Sequence, residues 1–193
     1  MRLKQFAEIR TGLVLSRKKG DTHDDEYYTY TMVTLKAFHQ NGKLLSKNLD
    51  TYIAHEKLSD RYLTKTGDIL IRLREPNHAV VITQNDAGLV VPSLVAHLKV
   101  DERANSEFLT YYLNSNSIQK KLQKEAKGTR ISMIKIKDLS ELELNLPTLE
   151  KQKQIVALLQ LANQEVNLLE SLKTEKINYK NILLDKIINE GNH

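Results

Sequence analysis

Cysteine and tryptophan are missing from the 193 residues, and proline (3) and glycine (7) are sparse. Without cysteine there is no disulfide framework, no thiolate metal site and no sulfur nucleophile. The chain suits a reducing compartment. No apolar run approaches the ~20 residues of a membrane span, and the N-terminal MRLKQFAEIRTG lacks the apolar core of a secretory signal. These absences point to a cytoplasmic protein without a membrane partner. The glycines stand singly, which excludes a Gly-rich phosphate loop. There is no G-x-S-x-G elbow and no H-E-x-x-H pair. The SAM-binding and target-base motifs of a DNA methyltransferase are also absent. One further absence is positional: from Thr148 to Glu190 the chain contains neither glycine nor proline.

What is present is an ordinary folded chain, with 40% apolar and 27% charged residues. Its length fits one body plus an appendage, and a body of roughly 100–150 residues buries an adequate core. The formal charge is +5, and its distribution is uneven. Residues 1–147 hold 23 basic and 18 acidic side chains, whereas residues 148–193 hold 6 of each. The whole excess therefore sits on the body. A basic body suits a polyanion partner, most often nucleic acid. The same charge would also serve solubility alone.

Strand-like runs fill the first hundred residues. YYTYTMVTL (Tyr27–Leu35) is rich in β-branched and aromatic residues, and NGK (Asn41–Lys43) is a turn. GDILIRL (Gly67–Leu73) and AVVIT (Ala79–Thr83) are apolar runs joined by the loop REPNH. AGLVVPSLVAHLKV (Ala87–Val100) predicts two strands broken at Pro92. The period then becomes helical over Asn105–Gly128, with Asn105 or Ser106 as N-cap, a break near Asn114–Ser117, and Gly128 past the end. ELELNL (Glu141–Leu146) alternates and predicts a last strand, closed by Pro147. Short strands first and helices late define an α+β body.

After Pro147 one helix is predicted, with Thr148 as N-cap and Glu150 in its first turn. Its 43 residues to Glu190 span roughly 64 Å. Apolar residues recur at Ile155, Leu158, Leu159, Ala162, Val166, Leu169 and Leu172. The stripe weakens at Lys173–Lys176 and resumes through Leu183 and Ile187. A helix of this length cannot be covered by its own body, so a helix of another chain must cover it.

Catalytic groupings are few. HDDE (His23–Glu26) is the densest set of metal-ligand types, but consecutive residues converge poorly on one ion, and it reads as a solvated acidic turn. His78 and His97 stand alone. Glu56, Lys65 and Asp68 lack the spacing and strand context of a nuclease site. No catalytic and no metal-binding residue is assigned. Binding features are stronger together. SRKKG supplies Arg17, Lys18 and Lys19, and the NGK turn supplies Lys43. RLREPNH supplies Arg72, Arg74, Asn77 and His78, residue types that read base edges. AKGTR supplies Lys127, Thr129 and Arg130, suited to phosphate. Each loop taken singly also reads as a solvated surface loop.

The segment GTRISMIKIKDLSELELNLPTLEKQKQIV (Gly128–Val156) resembles the junction in the specificity (S) subunits of type I restriction-modification systems. There a target-recognition domain meets its long spacer helix. The matching positions are Gly128, Ile131, Ile134, Leu139, Leu142, Leu146, Pro147, Leu149, Glu150, Gln152 and Ile155. FAEIRTG (Phe6–Gly12), GDIL (Gly67–Leu70) and FLTYYLNS (Phe108–Ser115) extend the resemblance over nearly the whole chain. An S subunit carries two recognition domains and two helices, and this chain has one of each.

The resemblance implies a small mixed-sheet target-recognition domain over 1–147 and a spacer and dimerisation helix over 148–193. It implies an intermolecular antiparallel coiled coil and a homodimer reading a bipartite site on double-stranded DNA. It also implies a methyltransferase subunit and a restriction/translocase subunit as partners. SAM and ATP would bind those partners, and this chain would hold no cofactor and be no enzyme. Two other readings stand beside it: a truncated regulatory or decoy S-like protein, and a structural coiled-coil adaptor that does not read DNA.

Overall fold

Short β-branched and aromatic runs, each closed by a turn signal, build short strands. The computed structural model describes residues 1–23, 26–126 and 133–190. Among these are six strands of three to six residues: β1 (Ala7–Thr11), β2 (Tyr28–Met32), β3 (Asp50–Ala54), β4 (Ile69–Arg72), β5 (Ala79–Val81) and β6 (Val95–Val100). One sheet has the order β1-β6-β4-β5, and β2 pairs with β3 in a second. The pairs within both sheets are antiparallel. Parallel pairing is confined to the isolated bridges Leu13–Pro92 and Met32–Val90.

The central strands β4 and β6 are apolar without alternation because both faces are covered. Ile69, Leu70, Ile71, Val95, Ala96 and Leu98 are all fully buried. Register sorts them by face: Leu70 lies opposite Val80 and His97, and Ile71 opposite Ala79 and Ala96. Leu70, Val80 and Val95 pack with Val33, Phe38, Ile82, Leu89 and Val91 in one core cluster. A second cluster joins Leu13, Tyr52, Ala54, Leu58 and Val90.

Four α-helices follow: α1 (Ser106–Asn114), α2 (Asn116–Ala126), α3 (Ile136–Ser140) and α4 (Leu149–Glu190). Asn105 caps α1, its Oδ1 accepting the Phe108 N–H at 2.8 Å, and the expected break falls at Ser115. Two expected strands are absent. Leu89–Val91 is not a strand beside β6; Val90 instead bridges Met32 at the end of β2 and Leu63, while Leu89 and Val91 pack in one cluster with Leu70 and Val80 of the first sheet. Glu141–Leu146 alternates in burial, with Leu142, Leu144 and Leu146 buried. Its backbone pairs across to the first residues of the chain, through Leu3 N–H to Leu142 O at 3.0 Å and Leu144 N–H to Met1 O at 2.7 Å. Too few partners are present there for a ladder.

The chain divides into two compact units, Met1–Gln152 and Lys153–His193. The first contains both sheets, α1–α3 and the first turn of α4. The described part of the second is the remainder of α4. Among the described residues no helix is long and apolar enough to cross a membrane.

Candidate nucleic-acid interface

The loop that holds the paired arginines is the tip of the β4–β5 hairpin. Arg72 and His78 are cross-strand neighbours, since Arg72 N–H donates to His78 O at 3.1 Å. Directly opposite residues of an antiparallel pair point to the same face. Here that is the face of Leu70 and Val80. Arg72 is half-buried. Among the described residues its Nη2 donates to the Glu75 carbonyl, at 3.3 Å, and its Nε is buried without a partner. Burial lowers the guanidinium below its ordinary value. His78 is also held low, first by burial, then by Arg72 and by His39. Arg74 is exposed at the tip, where it bridges to Met133.

Asn77 has a structural task instead of presenting its amide to a ligand. It is 1% exposed, and its Nδ2 donates to Arg72 O at 2.9 Å, closing the loop from inside. The hairpin is also gripped from the helices. Asn114 pairs with the Ala79 backbone, accepting its N–H and donating to its carbonyl, both at 2.8 Å. Gln119 donates to Asn77 O at 3.1 Å.

Lys43 is exposed in a second turn, which lies against the outer edge of β5. Gly42, at φ +83°, adopts the left-handed backbone that glycine supplies at no steric cost. Its carbonyl accepts the Val81 N–H at 3.0 Å. His39 opens this turn, donating its N–H to Lys43 O at 3.1 Å. The sequence reading passed over His39; its place just before an Asn–Gly turn was the available signal.

The SRKKG loop is docked on β3. Gly20 N–H donates to Ile53 O at 3.0 Å and His55 N–H to Lys18 O at 3.2 Å. A Cβ on Gly20 would stand 2.6 Å from His55 N, so only glycine permits this approach. Arg17 and Lys19 are exposed. Lys18 is ion-paired with Glu56, whose carboxyl it holds below the ordinary value by hydrogen bond and charge. The docking brings exposed His55 and Lys57, which the sequence did not single out, to the same loop cluster. Lys127, Thr129 and Arg130 lie outside the described residues, as do the two central residues of the His23–Glu26 turn.

On α4, Leu158, Val166, Leu169, Leu172, Leu183 and Ile187 are 40–67% exposed. Ala162 is exposed, and Ile155 and Leu159 are intermediate. Leu161, Leu168 and Ile182, absent from the expected stripe, are exposed too. At ~100° per residue Leu161 and Leu168 lie within about 40° of Leu172, and these two and Ile182 lie about 100° or more round the helix from Ala162 and Val166. The apolar arc is therefore wider than one coiled-coil seam. Charge is divided along it. Residues 154–172 carry Glu165 and Glu170 and no basic residue, whereas 173–188 carry four lysines against Glu175 and Asp185. Among the described residues no three or more His, Asp or Glu side chains gather as metal ligands would.

An α+β body with basic loops, continued by one long helix with a wide apolar arc, defines a recognition-domain-plus-arm architecture. Residues 1–183 match the family model for the type I restriction modification DNA specificity domain, and the chain belongs to that family. Two solved structures share the fold. One is the HsdS subunit from Thermoanaerobacter tengcongensis, at TM-score 0.68 and 20% identity over 91% of this chain and 44% of that one. The other, from work on complex assembly and conformational transition of the type I R-M system, has TM-score 0.68 and 19% identity with the same coverage. The chain thus spans less than half the length of the structures it matches.

Proposed function

We propose that this chain is a DNA-reading half-subunit of a type I restriction-modification complex. Two copies pair through α4, each body reads one part of a bipartite duplex target, and the dimer directs methyltransferase and restriction subunits to it. Family membership supports the DNA-specifying role. The observation that carries the pairing is the charge division of α4. An antiparallel pair sets the acidic stretch of one copy, 154–172, against the lysine-rich stretch of the other, 173–188. A parallel pair sets like against like. The helix dipoles favour the same choice. A two-stranded seam covers only part of the apolar arc, and the remainder suits a helix of a partner subunit.

With two identical halves the symmetry axis makes the two parts of the target inverted copies. Base contacts specify, and the cluster of Arg17, Lys19 and Lys57 positions through phosphate. SAM and ATP belong on the partner subunits, and this chain performs no catalysis.

The test is to co-express the chain with its methyltransferase subunit and map modified bases across the host DNA. A split palindromic motif is expected. A split asymmetric motif keeps the reading role and replaces the homodimer by a pair of different halves. A stable complex that adds no methylation converts the reading to a decoy, and failure to form any complex removes the assembly role.

A further inference from the structure

We propose that His39, on the turn at 38–44, is a specificity-determining residue that reads the same base-pair step as Arg72 and His78. Two loops and not one then form the reading edge. The inference rests on the DNA-reading function above and names a residue outside the arginine loop.

The fold brings the two loops together by backbone. Phe38 packs in one cluster with Leu70 and Val80, on the face of the sheet that Arg72 and His78 share by register. Gly42 O accepts the Val81 N–H at 3.0 Å, fixing the turn to β5. The turn that carries His39 is thereby set along β5, the strand that His78 leads into, and the two rings are near enough to interact electrostatically.

The three groups lack a counter-charge. Among the described residues no carboxylate lies within ion-pair distance of Arg72, and its buried Nε–H has no acceptor. Solvent reaches part of this guanidinium, and a ligand with acceptors would satisfy the donor that solvent does not reach. In duplex DNA two groups qualify, the O6/N7 edge of guanine and a phosphate.

Rigidity favours the base edge. Arg72 stands on a hairpin whose backbone is pinned by Asn77, Asn114 and Gln119, so the point from which its side chain reaches is fixed. The exposed lysines and arginines of the body are the freer groups that suit phosphate. His39 Nδ1 faces the Asn41 N–H at 3.3 Å. In the neutral ring this makes Nδ1 the acceptor and leaves Nε2–H as donor, the complement of a purine N7 or guanine O6.

The experiment is binding-site selection from a random duplex pool, using the full chain in complex with its methyltransferase subunit. Wild type, Arg72→Ala, His39→Ala and His39→Asn are compared. His39→Asn keeps a short acceptor for the Asn41 N–H and removes the ring. We expect both His39 variants to lose or change the preference at one base pair by about tenfold or more. The affected position should be at or next to the one relaxed by Arg72→Ala, and the other positions should keep theirs. Uniform weakening over all sequences, with a salt slope lower by about one, makes His39 a phosphate contact and overturns the inference. Unchanged wild-type preference in His39→Asn assigns the ring to the turn alone and overturns it equally. A wild-type complex that enriches no sequence removes the DNA-reading function itself, whereas an effect of Arg72 without one of His39 removes only this inference.

Discussion

His97 has no exposure to solvent and Asp68 only 5%, yet both are polar, so each depends on the other. His97 Nε2 lies 2.6 Å from Asp68 Oδ2, which also accepts the Lys65 N–H at 2.8 Å. This pair fastens the start of β4 to the middle of β6. Removing one member strands the other in the core, which costs about 2–3 kcal/mol. Asp68→Ala should lower the urea midpoint accordingly, and His97→Ala made on top of it should add less than His97→Ala alone. His78 governs a pH effect of known sign. Its folded-state value lies below the ordinary 6.5, so on acidification the unfolded chain takes up the proton first. Stability is intact above about 6.5 and is lost as pH falls from there through the lower folded value. Unfolding of His78→Gln, followed between about pH 7 and pH 5, should show a smaller loss than wild type. A DNA acceptor reverses the sign by favouring the charged ring, so duplex affinity should rise over the same interval. At this scale the sequence showed residue types without their direction. Arg72 and His78 were legible as candidates because they are basic and next to a Pro-containing loop. Asn77 carried the same signal and points inward, because a closing loop needs an internal donor for the Arg72 carbonyl.

The first turn of α4 is held by a single buried amide. Gln152 is 1% exposed; its Oε1 accepts the Asn105 N–H at 2.8 Å and its Nε2 donates to Pro147 O at 2.9 Å. It thereby satisfies the backbone at the start of α1 and at the end of the segment that enters α4. Gln152→Ala leaves both groups without a partner and should cost about 1–3 kcal/mol, read as a lower melting temperature of the full chain. Gln152→Glu keeps the acceptor but buries a carboxylate against the Pro147 carbonyl, so at neutral pH it should cost at least as much. Elements with a long clear period were readable from the sequence: α1, α2 and α4 begin where caps and breaks place them. Glu141–Leu146 misled because alternation reports burial of Leu142, Leu144 and Leu146, and burial alone does not supply a neighbouring strand. Pro92 misled in a related way, since Leu89–Val91 is used to join two sheets. The five-residue α3 is too short to show a period at all.

For the molecule as a whole, the body is self-sufficient in apolar burial and α4 is not. Leu169→Glu together with Leu172→Glu should convert a dimer to a monomer in sedimentation while leaving the helical circular dichroism of the body in place. Reversing Glu165 and Glu170 to Lys should weaken pairing, and adding Lys176→Glu and Lys180→Glu in the same chain should restore part of it. The length of α4 was legible from the long run without Gly or Pro. The full width of its apolar arc was not, because Leu161, Leu168 and Ile182 lie well round the helix from Ala162 and Val166. One further consequence follows from how the β4–β5 hairpin is gripped. Asn114 and Gln119 hydrogen-bond main-chain atoms of Ala79 and Asn77. Positions 74, 75 and 78 can therefore exchange their side chains while the scaffold stays in register. A change there would alter what the loop recognises without first unfolding it, and two-fold pairing would copy that change into both arms of the target at once. Such a hairpin makes new specificity accessible in single mutational steps.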